Sequence, residues 1–362
     1  MKSAYLIAGM RLSIFLKLIW ENGISLTPKY LVRFLFLLQN GFWASIFYRK
    51  EKKIYEQKII VQKLSTNPVI IIGHWRTGST YLHQLLSLDP NFVTSNVFQA
   101  SIPDSFLTSR KSYEPIMQRF VKGTRPMDQV KLGLDEPLED EYALFRLTSY
   151  SPLKHLIFPK SDTYFLKLEP DFLPTDNKLE EWKNALKLFY KKLLIFNKKT
   201  ILIKNPFHSY RLNLLNEIFP DSKYIHIIRH PYQVVPSTQR MWDIVGSQNS
   251  LNKNWCKPKL NEVAEEMIKM MQKIDADKKK LTENRFIEIK FEDFEKDPIQ
   301  TIKAIYNQFG IIYTEGFQKQ IENFIFSIKD YKKNDYILPL EDKKAISEIM
   351  KSWMTKYEYS FN

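Results

Sequence analysis

The stretch "PVIIIGHWRTGST", residues 68–80, constrains this chain more than any other. An apolar run ends at Gly73; after four residues come Gly78, Ser79 and Thr80. A strand, a glycine-bounded loop and a helix start, in that order, make a phosphate cradle. Backbone N–H groups and the helix N-terminus then face an anion. The nucleotide-binding pattern G-x-x-x-x-G-K-[ST] has lysine where this chain has Ser79. A basic residue lies inside the loop instead, as Arg76, a planar and permanently charged fork. Thr80 adds a hydroxyl. An ordinary strand–turn–helix connection has the same spacing, so the rest of the chain must decide.

Three further β-like runs follow "PVIII" (68–72): "TILIK" (200–204), "YIHII" (224–228) and "FIEIK" (286–290). The first three of the four each lead through a turn or loop into a helical pattern. Near-continuous apolar runs alternating with helices predict an α/β fold with a buried parallel sheet. Pro206 and Pro231 stand just after strand ends, where proline opens helices. After residue 295 the chain reads as helices: "DPIQTIKAIYNQFG", "EGFQKQIENFIFSI" and "EDKKAISEIMKSWMTKY". Between the first helix, at about 79–88, and the next strand lies an aromatic-rich segment, 89–199. A structureless loop of that length does not fit a compact domain. It is expected to be a mainly helical insertion that leaves from the ligand edge of the sheet and forms a substrate pocket and lid. The alternative is a packing layer. The chain thus divides into 1–64 and a domain over 65–362 that contains the insertion.

Ligands of open α/β sheets bind beyond the carboxyl ends of the strands. There the second run delivers Lys204, Asn205 and Pro206, and the third delivers Arg229, His230 and Pro231, with Ser237 on the following helix. A Mg-nucleotide enzyme of this class places an aspartate at a strand end to hold the metal. Here those ends are Lys204 and Arg229. Glu292 and Asp293, after the fourth run, read as structural or helix-capping acids. Fixed cations without a Mg ligand suit a polyanionic donor used without metal. Two separated basic sites suit a ligand with phosphates at two places.

The match "WRTGSTYL" plus "IIRHPYQVVPS", with Ser eight residues after Arg229, resembles the nucleotide site of the sulfotransferase family. These enzymes use 3′-phosphoadenosine 5′-phosphosulfate (PAPS). "LIKNPFHSYRLNLLNEIFPDSKYIHIIRHP" and "FIEIKFEDFEKDPIQTIKAIYNQFG" look like the same family. The resemblance covers residues 68–90 and 200–310, more loosely the tail, and points to the broad bacterial group. It implies a P-loop NTPase-like parallel sheet flanked by helices. Arg76, Thr77, Gly78, Ser79 and Thr80 would hold the 5′-phosphate that carries the sulfuryl group, with Arg76 near the bridging oxygen. Lys204 would be a second contact to the transferring group, and Arg229 and Ser237 would hold the 3′-phosphate. Tyr81 stands where some members place a tryptophan that stacks on adenine; the alternative is a core aromatic of the first turn.

The base is the least defined element. An acceptor hydroxyl must lose its proton, and some relatives use a glutamate roughly twenty residues after the loop arginine. "FVTSNVFQA" has no acid or histidine there. The family's cytosolic members use a histidine; His74, His83, His155, His208, His226 and His230 have no unambiguous match. The acidic cluster Asp135, Glu136, Glu139, Asp140 and Glu141 offers Glu139 first and Glu141 second. In helical phase Glu136 and Glu139 share a face and Glu141 lies on another. The alternative is a solvated helix start.

The net charge is +14, which points to an anionic partner. Residues 1–64 hold eleven Lys and Arg, from Lys2 to Lys63, against three acids, a net +8. Their apolar runs "AYLIAGMRLSIFLKLIW" and "FLFLLQNGFWASIFY" each fall short of the ~20 apolar residues that span a bilayer. Arg11 interrupts the first, which does not read as a signal peptide. Peripheral contact with an anionic membrane is expected, alongside or instead of a helical hairpin packed on the core. The single cysteine, Cys256, fits a reducing compartment, hence a cytoplasmic protein, peripheral on the inner face of the membrane. No nucleic-acid motif is present. The resemblance implies sulfuryl transfer to a hydroxylated acceptor. The aromatic insertion and apolar N-terminus favour a lipid or steroid-like alcohol over a carbohydrate. The rivals are a P-loop nucleotide kinase and a non-catalytic membrane- or anion-binding protein.

Overall fold

The protein is described by a computed structural model over residues 6–23, 28–65, 67–119, 121, 123, 133–159, 164–168, 177–251, 255–330 and 336–361. Lys2 and the insertion aromatic Phe120 lie outside the described residues. The chain forms two compact units. One comprises 1–64, 95–198 and 242–257; the other comprises 65–94, 199–241 and 258–362.

The second unit is built on a parallel sheet of β1 (Val69–Ile72), β2 (Phe92–Val93), β3 (Thr200–Lys204), β4 (Lys223–Ile228) and β5 (Phe286–Lys290). Their order is β2-β3-β1-β4-β5. Ile70 of β1 pairs with Ile203 on one side and Tyr224 on the other. Every residue of β1 is buried, which explains its apolar run without alternation. The four expected runs are all strands. β2 was not expected: two residues carry no periodic signal. It forms because Thr200 N–H donates to Asn91 O at 3.0 Å beside its pairing with β3.

On one face of the sheet, the helix Ser79–Leu86 contributes Leu82, Leu85 and Leu86. The helix Pro298–Phe309 contributes Ile302, Ile305, Tyr306 and Phe309, and Glu315–Ser327 contributes Phe317 and Ile321. This is the spacing of one helical face, and each fully buried side chain stabilises by ~1.5–3 kcal/mol. Asp297 caps Pro298–Phe309 by accepting from Gln300 N–H, and Gly310, at φ 61°, ends it. Pro231 opens the helix Pro231–Asn249, as expected. Pro206 opens a single 3-10 turn, Pro206–Tyr210.

In the first unit, the helices Leu12–Asn22 and Pro28–Val61 form the expected hairpin. Phe15 and Phe34 meet with ring centres 5.8 Å apart. Asn40 Oδ1 accepts from Gly9 N–H at 2.7 Å, and Ser45 Oγ from Leu12 N–H at 2.9 Å. Gly41 eases the close approach there, since a Cβ would lie 3.2 Å from Leu12 Cα and 3.3 Å from Met10 O. The second helix is one unbroken element of 34 residues, long and apolar enough to cross a bilayer by length and composition. The apolar run itself is still the 15 residues read from the sequence; the helix continues beyond it at both ends.

The hairpin is tied to the insertion by buried charge. Glu51 pairs with Lys192 at 2.5 Å and accepts from Leu107 N–H at 2.8 Å, while Arg11 pairs with Asp104 at 2.8 Å. Arg146 donates to Ala8 O at 2.7 Å, and burial pulls its pKa down to about 10. The insertion's described residues are mainly helical, with Glu141–Thr148 and Asn177–Leu194 prominent. Phe98, Phe145, Phe158, Tyr164 and Phe165 are buried, so these aromatics pack a core.

Candidate active site

The loop after β1 needs positive φ three times: 133° at Gly73, 70° at Arg76 and 95° at Gly78. Glycine adopts this region freely; Arg76 holds it at a cost of order 1–3 kcal/mol. A Cβ at Gly73 would press on Ile227 O, and one at Gly78 would collide with the Phe291 ring. Both glycines therefore let loop and sheet approach more closely than any side chain allows. The loop is pinned from within, where Thr77 Oγ1 donates to His74 O at 2.8 Å. It is pinned from outside, where Gly73 N–H donates to Ser209 Oγ at 2.9 Å and Thr238 Oγ1 to Trp75 O at 3.3 Å.

Sequence-expected residues converge on this loop. Arg76 Nε–H donates to Ser237 Oγ at 2.9 Å. Arg229 Nη1 donates to Arg76 O at 3.3 Å, and its guanidinium lies 4.3 Å over the Phe291 ring. Lys204 Nζ donates to Thr80 Oγ1 at 3.3 Å. Ser79 and Thr80 open the helix Ser79–Leu86, placing its N-terminal amides at the end of the loop. Three strand ends thus deliver Arg76, Lys204 and Arg229 to one edge, with hydroxyls between them. Tyr81 packs on Phe294 at 5.1 Å, and burial, with the charge of Glu295, pushes its pKa up to about 12. This is the position of a first-turn core aromatic.

Ser209 and Phe291 went unrecognised in the sequence. Each follows a strand end, in "KNPFHSYR" and "EIKFEDF", which is the only signal a single sequence offers. Glu292 accepts from His230 N–H at 2.9 Å and from Tyr359 Oη–H at 3.0 Å, a structural position as expected.

The acidic cluster belongs to the unit of 95–198. Asp135, Glu136, Glu139 and Asp140 precede the helix Glu141–Thr148, so the helical-phase comparison of Glu136 with Glu139 does not hold. Nor is the cluster uniformly solvated. Glu141 is fully buried and accepts from Ser151 Oγ–H at 2.6 Å. Asp140 is buried and accepts from Tyr190 Oη–H at 2.8 Å. Asp135 receives both Nη groups of Arg110 at 2.8 Å, which hold its carboxyl below the ordinary range. Glu139 is half-buried, two residues before the helix.

The histidines are occupied. His74 is fully buried, and desolvation lowers its pKa to about 4 against a hydrogen bond with Trp75 O. His226 contacts Glu288 at 2.7 Å, His83 contacts Thr94 at 2.7 Å, and His208 lies beside Arg211. Burial lowers the pKa of His230, which contacts Ser360 O at 3.2 Å.

Residues 68–315 match the pattern of the Sulfotransferase family. Two relatives are the omega-hydroxy-beta-dihydromenaquinone-9 sulfotransferases Stf3 of Mycobacterium bovis and Mycobacterium tuberculosis. Each is 28% identical over 309 residues, which are 85% of this chain and 79% of the relative. The sulfotransferase STF9 of Mycobacterium avium shares the fold with TM-score 0.65 at 16% identity, over 99% of both chains. STF1 of Mycobacterium tuberculosis does so with TM-score 0.62 at 16% identity, over 95% of this chain and 91% of that one.

Proposed function

Because the chain belongs to the sulfotransferase family, we propose that it moves a sulfuryl group from PAPS to the hydroxyl of an apolar acceptor, a lipid or steroid-like alcohol. The observation that carries this reading is the convergence of Arg76, Ser237, Arg229 and the Thr80–Lys204 pair on one glycine-bounded loop. The loop fits an anion: Gly73 and Gly78 let its backbone seat tightly against Ile227 and Phe291, and the N-terminus of the helix Ser79–Leu86 adds donors. The donor, when bound, supplies an activated sulfur–oxygen bond. Amides of 76–80 and Thr80 hold its 5′-phosphate; Arg229 and Ser237 hold its 3′-phosphate. Arg76 and Lys204 offset the negative charge that grows on the leaving oxygen. No metal is needed for this, since the fixed cations do the same electrostatic work.

Glu139 takes the acceptor's proton in this reading. Full burial of Glu141 supports preferring Glu139. Acceptor determinants lie in the 89–199 insertion. The Stf3 relatives, which act on a hydroxylated menaquinone by their names, support an apolar alcohol. The enzyme works at the cytoplasmic side of an anionic membrane, held peripherally by residues 1–64.

Thermal shift in EDTA tests the donor site. Adenosine 3′,5′-bisphosphate should stabilise the protein, and ATP with Mg²⁺ should do so less. An absolute Mg²⁺ requirement would sink the donor assignment. Labelled PAPS offered with hydroxylated lipids, sterols and sugars then identifies the acceptor class; label appearing only on sugars would overturn the apolar one.

A further inference from the structure

We infer that one face of the helix Pro28–Val61 is a lipid-docking surface that lies in the interface of an anionic bilayer. The inference rests on the peripheral-membrane reading above and assigns its contact surface and geometry. Leu31, Val32, Leu35, Phe42, Trp43 and Ile46 are 39–61% exposed. At 100° per residue they fall within an arc of about 120°. The opposite side of the same helix is packed: Leu37 and Ala44 are each 2% exposed and Glu51 is 1% exposed. The apolar stripe is therefore turned away from the protein's own core. On the shorter helix, Trp20 is 91% exposed, an aromatic of the kind that settles at headgroup level.

Charge identifies the occupant. Arg49, Lys50 and Lys53, all exposed, continue the same arc after Ile46, and the exposed Ile60 follows them. Apolar residues followed on one face by cations match acyl chains beneath anionic headgroups. Packing decides between lying in the interface and spanning it. A spanning helix would have to give up the Gly9–Asn40 and Leu12–Ser45 hydrogen bonds and the buried Glu51–Lys192 pair. An interfacial helix keeps all three.

The test is flotation of the full chain with phosphatidylcholine vesicles, with and without one-third phosphatidylglycerol, at low and high salt. Thermal shift with adenosine 3′,5′-bisphosphate is measured on every variant. Wild type should float with anionic vesicles and be released by salt. Leu35→Ser/Phe42→Ser/Trp43→Ser should lose at least tenfold in affinity. Arg49→Glu/Lys50→Glu/Lys53→Glu should lose on the order of 100-fold or more, since each cation near an anionic surface counts for about fivefold. Donor stabilisation should be unchanged in both. Wild type that fails to float, or an apolar triple variant that floats like wild type, overturns the docking surface while donor stabilisation stands. Concentration-dependent dimers that the apolar variant abolishes, without flotation, would assign the face to a second copy instead. Loss of donor stabilisation in wild type itself would instead be the failure of the sulfotransferase reading.

Discussion

Arg76 Nε–H donates to Ser237 Oγ at 2.9 Å, which joins the loop after β1 to the helix after β4. The two proposed phosphate sites are therefore mechanically coupled. Arg229 reinforces the joint by donating to Arg76 O at 3.3 Å.

Arg229→Ala should weaken binding of adenosine 3′,5′-bisphosphate more than Ser237→Ala. A charge-assisted hydrogen bond contributes roughly 1.5–3 kcal/mol against about 1 for a neutral one. The discriminating ligand is adenosine 5′-monophosphate, measured by calorimetry. Wild type and Arg229→Ala should bind it alike. Equal losses for both ligands would mean that Arg229 acts only by holding the Arg76 carbonyl.

Arg76→Ala should lower turnover by on the order of 10²–10³, the loss seen when one group stabilising transition-state charge is removed. Arg76→Lys should recover part of it, because it keeps a charge but loses the fork that reaches Ser237. Melting temperature separates chemistry from folding. A variant as active as wild type would remove Arg76 from the transfer step.

Glu139→Gln should reduce turnover by on the order of 10²–10⁴ at unchanged donor affinity if Glu139 takes the proton. The buried position of Glu141 changes what its control means. Glu141→Gln should lower the melting temperature, through the Ser151 contact, and leave the rate per folded molecule alone. Asp135→Asn should cost little, since its Arg110 partner is 41% exposed and such pairs contribute ~0–1 kcal/mol. Activity that survives Glu139→Gln and collapses in Glu141→Gln would reverse the assignment.

Stability should fall on acidification because of His74. Its folded pKa is about 4 against an ordinary 6.5. Below pH 6.5 the unfolded chain therefore takes up a proton that the folded chain refuses. Stability is complete above that pH and declines as pH drops toward 4, by at most about 3 kcal/mol from this group. His74→Asn keeps a donor near the ring's Nδ1 and has no such titration. Denaturation midpoints between pH 7 and 4.5 should fall less steeply in the variant; parallel slopes would place the acid sensitivity elsewhere.

Much of the frame was legible because it is local. "PVIII", "TILIK", "YIHII" and "FIEIK" carry their burial in their composition, and all four are strands. The glycines at 73 and 78 announce a loop with backbone angles that glycine adopts most freely, and both have positive φ. Arg76, Lys204 and Arg229 were legible as site candidates because each follows an apolar run. Ser209 and Phe291 were not, since their roles exist only where separate strand ends meet.

The sequence by itself determined the strand–loop–helix units, the basic character of their ends and the family. Periodicity, backbone preference and charge are all properties of neighbouring residues. Only the tertiary structure decided which side chains meet. It brought Arg76 to Ser237 across 161 positions and Lys204 to Thr80 across 124. It also buried Glu141 while leaving Glu139 half-buried, and it turned the stripe from Leu31 to Ile46 outward. Burial depends on what the rest of the chain packs against each face. A run of acids or apolar residues cannot encode that alone.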